Sequence, residues 1–255
     1  MKEKVVILVR AYNDLDCRMP LLLEFARDIR YRQVTVMGIP TNTGMNRPHR
    51  HELSGFLSQN NIAVTELYDS APRFSPVRIV YRVYAVLDRL GPEGSAVVEK
   101  LKKAVFRVVV RLSLADPGWI ERVIESLRFS IVIVDEMLFH PGRSFFMDML
   151  AASPRFSEFS VYGFLAGQDT YLDFRREYGF VSAGKEHIPF FVPGENDGCI
   201  MREALPGADV RVVGNTRFDP SWIRNVSGMA AEIAANDPLL RCEAQTRIVF
   251  MLSKI

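Results

Sequence analysis

Short apolar runs alternate with amphipathic segments along most of this chain, and no other feature restricts its fold as much. Seven runs of four to six residues have the composition of buried β-strands. These runs are Lys4–Val9, Val34–Gly38, Ile62–Leu67, Ile131–Val134, Phe159–Phe164, Ile188–Val192 and Val210–Val213. Helical patterns lie between them, at Leu21–Arg30, His51–Gln59, Phe145–Ala152 and Ile200–Ala204. The alternation predicts an α/β fold in which a parallel sheet has helices on both faces.

Composition and charge are those of an ordinary soluble protein. The chain has 255 residues, of which 48% are hydrophobic and 24% charged, and its formal net charge is +2. So small a charge predicts no nucleic-acid partner, and any electrostatic function must come from a local patch. The three cysteines, Cys17, Cys199 and Cys242, are widely spaced, which suits a reducing compartment. The apolar stretch near the first residue is too short for a signal peptide, so we expect a cytoplasmic protein.

Polar residues follow five of the seven predicted strands, at the edge where parallel sheets bind ligands. Pro40–Gly44 follows the second strand. The site candidates after the first strand are Arg10, Asn13 and Asp14, and those after the fourth are Asp135, Glu136 and His140. The candidates after the fifth strand are Gly167, Gln168 and Asp169, and those after the seventh are Gly214, Asn215 and Arg217. Turns and helix caps use the same residue types, and for any one loop taken alone we favour that explanation. Their convergence on one edge predicts a binding site.

The segment between the third and fourth strands, about 72–129, predicts an insertion of two or three helices. Pro72–Leu114 carries nine basic residues against three acidic ones, with apolar residues interleaved. Such a segment suits an anionic membrane surface or an anionic, lipid-linked acceptor. The alternative is a set of helices whose apolar stripes face the sheet and whose arginines face water.

The histidines and cysteines predict no metal site. His49 and His51 are two residues apart and do not share a helix face, and the cysteines lack zinc spacing. His140 follows the fourth strand and is the histidine that we consider as a catalytic base. We therefore expect neither a metal nor a cofactor.

The sharpest local pattern is VPGENDGCIMREALPGADVRVVGNTRFDPSWI, at Val192–Ile223. A strand that reaches Gly214-Asn215, followed by Arg217 and Asp219, resembles the end of the N-terminal domain in GT-B-type sugar-processing proteins. The chain resembles surface-polysaccharide transferases related to CDP-glycerol glycerophosphotransferases, and more distantly UDP-N-acetylglucosamine 2-epimerases.

The terminal RIVFMLSKI is similar to the strand that opens the second domain of those proteins. The resemblance implies a Rossmann-like domain at 1–224. It further implies that 225–255 is a linker and the first strand of a nucleotide-binding domain that is otherwise absent.

A second matching stretch, FLAGQDTYLD, departs from the family at one position. Related transferases often have Pro-His-Gly here, and Ala166 stands where that histidine would be. Because a methyl group cannot accept a proton, the family's base is not carried over. Asp14, Asp135, Glu136 and His140 are the substitutes, unless the chemistry has been lost.

The resemblance implies the acceptor-side part of a glycosyl- or glycerophosphotransferase for surface polysaccharide, incomplete and inactive alone. Its donor is a nucleotide-activated sugar or CDP-glycerol, held mainly by the second domain, and its acceptor is a polysaccharide or lipid-linked chain. Arg10 contacts an anionic substrate or pairs with a nearby aspartate, and Arg217 contacts the donor or braces the linker. The alternatives are a nucleotide-sugar epimerase or hydrolase, and a non-catalytic subunit that needs a partner domain.

Overall fold

The computed structural model describes residues 3–9, 12–39, 54–71, 75–90, 96–116, 118–134, 145–165, 188–204 and 206–236. All seven predicted strands are confirmed within one or a few residues. They are β1 Glu3–Val9, β2 Tyr31–Gly38, β3 Ile62–Glu66, β4 Ile131–Val134, β5 Ser160–Phe164, β6 Phe190–Val192 and β7 Val210–Val212.

The described residues also form eight α-helices, which lie between the strands and after the last one. They are α1 Tyr12–Arg27, α2 Ser54–Gln59, α3 Pro76–Leu90, α4 Ala96–Ala115, α5 Gly118–Leu127, α6 Phe145–Ala152, α7 Glu195–Ala204 and α8 Pro220–Asn236. Short 3₁₀ turns lie at Leu67–Ser70, Phe156–Glu158 and Thr216–Phe218.

The seven strands pair in the order β3-β2-β1-β4-β5-β6-β7, and every pairing is parallel. Val5–Val9 in β1 are all buried, so both faces of this interior strand are covered. This confirms the Rossmann-like α/β fold. The strand order reverses between β1 and β4, and in open parallel sheets ligands bind beside the carboxyl ends of the strands at such a reversal.

The helix after β1 begins earlier than the sequence pattern predicted. We expected a polar loop through Asp16 and a helix from Leu21, whereas α1 runs from Tyr12 to Arg27 and contains Pro20. Pro20 is the ninth of the sixteen residues of α1 and has no N–H for the carbonyl of Asp16, so the helix continues past one missing hydrogen bond. Polar residues that looked like a loop therefore form the first turn of a helix.

The segment between β3 and β4 contains α3, α4 and α5. Aromatic side chains of these helices form a cluster with two neighbouring rings. Its members are Tyr68, Tyr81, Tyr84, Phe106, Trp119 and Phe146. The ring of Tyr68 stacks on Trp119 with 5.5 Å between centroids. The indole N–H of Trp119 donates to the carbonyl of Ser113, 2.9 Å away, so its one polar group is satisfied in the core. These contacts anchor the three helices in one hydrophobic core.

The chain forms two compact units, Met1–Arg217 and Phe218–Ile255. The first contains the whole described sheet. The described part of the second is α8, which begins five residues before the predicted linker at 225. The predicted terminal strand at 248–252 lies outside the described residues, and the domain division at 224 stays a prediction.

Candidate functional site

Several of the predicted site residues lie outside the described residues. Arg10 directly follows β1, and Asp135 and Glu136 directly follow β4, with His140 a few residues later. Gly167, Gln168 and Asp169 follow β5 and are likewise outside. Their place in a site and their roles both stay predictions.

Asn13 and Asp14 lie in the first turn of α1, which starts three residues after β1 ends. This placement corrects the loop that we expected there. The first turn of a helix presents unpaired backbone N–H groups, which favour an anion or a carboxylate. The start of α1 therefore contributes a helix N-terminus to the carboxyl edge of the sheet.

A hydrogen bond joins the turn after β7 to α1. The hydroxyl of Thr216 donates to the carbonyl of Cys17, 2.6 Å away. The turn itself is set by Gly214, whose φ of +84° is a conformation that favours glycine. Asn215, between them, is half-buried. The structure thus brings two predicted parts of the site together, the segment after β1 and the Gly214–Arg217 turn.

Arg18 joins α1 to β5 in a similar way. Its side chain is fully buried, and Nη2 donates to the carbonyl of Phe164, the last residue of β5, 3.0 Å away. A guanidinium keeps its charge in a protein. The carboxyl end of β5 therefore has a fixed positive charge beside it, and α1 is held against both β5 and the turn after β7.

Sequence analysis missed Arg18, although the pattern of α1 contains a signal for it. Leu15, Met19 and Leu22 are all buried. Arg18 is three residues after Leu15 and four before Leu22, so it falls on the same helix face as these apolar side chains. An arginine in the middle of an apolar stripe indicates a buried cation.

A second missed residue, Asp197, lies in the first turn of α7, just after β6. Its side chain is only 7% exposed. Burial raises the pKa of the Asp197 carboxyl, and a hydrogen bond from the backbone N–H of Gly194 opposes that increase. The bond is the second half of a capping box, in which a residue in the first helical turn reaches back to the cap. A carboxyl with a raised pKa at this edge is a candidate proton acceptor.

The Gly214–Asp219 motif has partly structural explanations. Asp219 caps α8, where Oδ1 accepts hydrogen bonds from the backbone N–H groups of Ser221 and Trp222 at 2.8 and 3.1 Å. Bonds to Ser221 and Trp222 lower the pKa of this carboxyl. Arg217 lies in the 3₁₀ turn Thr216–Phe218. Helix capping, one of the two explanations that we gave for such motifs, therefore accounts for Asp219.

A cavity of about 370 Å³ lies at the opposite edge of the sheet. It is lined by residues around the amino ends of β5 and β6, including Phe156, Phe159, Tyr162 and Pro189. Most of its described lining residues are apolar and none is charged, so this part of the cavity offers no ionic partner for a phosphate. Among the described residues, no three His, Cys, Asp or Glu side chains are close enough together to hold a metal ion.

No model of a known protein family matches the sequence, and no characterised protein matches it significantly.

Proposed function

We propose that this chain is the acceptor-binding part of a transferase that moves a sugar or glycerophosphate from a nucleotide-activated donor to a surface polysaccharide or lipid-linked acceptor. The observation that supports the proposal most is the hydrogen bond from Thr216 to Cys17, because it joins the Gly214–Arg217 turn to the helix after β1. The turn is where the family resemblance and the predicted site coincide, and the helix carries the predicted site residues Asn13 and Asp14.

The electrostatics of this edge suit an anionic acceptor. Arg18 supplies a buried positive charge at the end of β5, and the N-terminus of α1 supplies unpaired N–H groups. Phosphate groups bind readily at helix N-termini for this reason. We propose that Arg10, Asn13 and the Gly214–Arg217 turn contact the acceptor, with Gly167, Gln168 and Asp169 beside them.

Transfer requires a base that takes the proton of the acceptor hydroxyl. We propose Asp14, Asp135, Glu136 or His140 for this role, since each follows or closely follows a strand at the reversal. Asp197 is a further candidate, because its raised pKa brings it nearer to that of an effective base at neutral pH. The donor nucleotide would be held chiefly by a second domain, and we propose a cytoplasmic location.

The proposal is tested by calorimetric titration of the protein with three probes, a glycerol phosphate oligomer, CDP-glycerol and UDP-N-acetylglucosamine. We expect the oligomer to bind more tightly than either nucleotide. Arg10→Ala should weaken that binding, whereas Arg30→Ala should not, because Arg30 lies just before β2 at the opposite edge and pairs with Asp28.

Two results would redirect or overturn the proposal. Release of nucleotide without any acceptor would favour an epimerase or hydrolase acting on a nucleotide sugar. If neither the oligomer nor the nucleotides bind, the chain is not an acceptor-binding part of a transferase.

A further inference from the structure

The helix α3 has apolar residues on two opposite faces. Its inner face consists of residues that recur at intervals of four and three and are buried, namely Val77, Tyr81 and Tyr84. Ile79, Val83 and Val86 recur at the same intervals on the outside, where about half of each side chain is exposed, at 52%, 49% and 49%. A surface helix of a globular protein ordinarily has polar residues on this side.

The helix α4 has the same arrangement. Lys102, Phe106, Val109 and Ser113 form its buried face. Val97, Leu101 and Val108 recur on the outside at intervals of four and seven and are 73%, 48% and 44% exposed. The buried faces of α3 and α4 enter the same hydrophobic core. Their exposed apolar stripes therefore both point away from that core.

A row of basic side chains runs beside the exposed stripe of α4. Its members recur at intervals of three and four and are all exposed, namely Lys100, Lys103, Arg107 and Arg111. Arg82 is exposed next to the stripe of α3. The acidic residues in the sequence of these two helices are Asp88 and Glu99. The outer surface of α3 and α4 is therefore apolar and strongly cationic at once.

Apolar stripes flanked by lysine and arginine are the pattern of helices that lie in the plane of a membrane interface. Aliphatic side chains enter the boundary between headgroups and acyl chains, while long basic side chains reach the anionic headgroups. No described helix is long and apolar enough to cross a bilayer.

Charge and shape favour a lipid surface over a protein partner. Two copies of this cationic face would repel each other, which disfavours self-association through it. A peptide that docks on helices needs a groove. Two described cavities, around Phe159 and around Phe25, are lined by residues outside these helices.

We infer that the outer surface of α3 and α4 binds the surface of an anionic lipid bilayer, with Ile79, Val83, Val86, Val97, Leu101 and Val108 in contact with the acyl boundary. The inference is independent of the proposed transferase function. It rests on the burial and charge of the two helices and not on the site at the carboxyl edge of the sheet.

The test is co-sedimentation of the full chain with vesicles of phosphatidylcholine alone and of phosphatidylcholine with phosphatidylglycerol. We expect clear binding only to the anionic vesicles, and weaker binding as salt is added. Lys100→Gln and Arg107→Gln should each lower the partition coefficient about fivefold. Leu101→Ser and Val108→Ser should each lower it roughly five- to tenfold, because they remove apolar area from the contact.

Matched controls come from exposed residues away from these helices. Ile29 is 83% exposed between α1 and β2, and Arg27 is exposed in the last turn of α1. Ile29→Ser and Arg27→Gln should leave vesicle binding unchanged. All the substituted side chains are exposed, so thermal unfolding of each variant should match the parent.

Three outcomes would overturn the inference. The first is equal binding to neutral and anionic vesicles, or none to either. The second is a loss of binding with Ile29→Ser as large as with Leu101→Ser. The third is a parent protein that sediments as a dimer and becomes a monomer with Leu101→Ser, because the face would then be covered by a second copy of the chain.

Discussion

Thr216 and Cys17 are 199 residues apart in the sequence, and the hydroxyl of the first donates to the carbonyl of the second across 2.6 Å. The bond fixes the turn after β7 against the helix after β1. It does so near Pro20, which removes the N–H that would bond the carbonyl of Asp16. The geometry of the candidate site depends on this contact, because it joins the helix after the first strand in the sequence to the turn after the last.

Thr216→Val tests the contribution of that bond, because valine keeps the shape of threonine and lacks the hydroxyl. We expect the free energy of unfolding to fall by about 1 kcal/mol, the usual net value of such a hydrogen bond. Urea denaturation measures the change. Thr216→Ser keeps the hydroxyl and should lose less; equal losses in the two variants would show that the methyl group and not the hydrogen bond is responsible.

Asp197→Asn should make the protein more stable at neutral pH. Burial raises the pKa of Asp197, so the folded state binds this proton more tightly than the unfolded state does. The free energy of unfolding therefore falls as the pH rises from the unfolded pKa of about 3.9 through the folded pKa. Asparagine cannot ionise and still offers an oxygen to the N–H of Gly194.

The gain from Asp197→Asn should disappear below the ordinary aspartate pKa, where the parent carboxyl is neutral too. Denaturation at a series of pH values measures this dependence. If the difference in unfolding free energy between variant and parent stays constant with pH, Asp197 does not have the raised pKa that burial implies. A variant that is less stable than the parent at neutral pH would contradict the account in the same way.

Gly163→Ala should destabilise the sheet between β5 and β6. A Cβ at this position would lie 2.6 Å from Cε1 of Phe190, a buried side chain. We expect a loss of about 1–3 kcal/mol, typical of overpacking in a core. Gly55→Ala in α2 is the control, because a Cβ there meets nothing within 4 Å. It should leave stability unchanged or raise it by up to about 1 kcal/mol. A harmless Gly163→Ala would show that Phe190 can move aside.

Tyr68→Phe should cost about 1 kcal/mol of stability. Ser113 donates its hydroxyl proton to the carbonyl of Val109 at 2.8 Å, so the Tyr68 hydroxyl, 3.2 Å from Ser113 Oγ, is the donor to Ser113. Burial raises the pKa of Tyr68, and its phenol should remain protonated when exposed tyrosines ionise. Tyr162→Phe, at a half-buried tyrosine, is the matched control and should show no comparable loss. If Tyr68→Phe and Tyr162→Phe lower stability by similar amounts, the hydrogen bond from Tyr68 to Ser113 is not the cause of the loss.

The sheet was predictable from sequence because its strands are short apolar runs, and such runs have few alternatives to burial in a parallel sheet. The Ile131–Val134 run, for example, is β4 without any change of bounds. The start of α1 was not predictable in the same way, since Asn13, Asp14 and Pro20 suit a loop by their local preferences. Packing against the rest of the fold decides that case.

The location of the candidate site was predictable from sequence, but several of its residues were not. The strand order explains why we expect a crevice beside the carboxyl ends of β1 and β4, and the sequence pattern indicated the segments that follow these strands. Arg18 and Asp197 were missed because their importance comes from burial, which depends on what other segments cover them. A polar side chain that is exposed in one fold and buried in another leaves little local signal.

The acceptor-binding claim is tested most directly by chemical-shift mapping of the labelled protein during titration with a glycerol phosphate oligomer. We predict the largest perturbations at Leu165, Val213 and Thr216, which follow the carboxyl ends of β5 and β7. Perturbations centred on Phe156 and Tyr162, at the amino ends of the strands, would contradict the account, as would the absence of any perturbation at saturating oligomer.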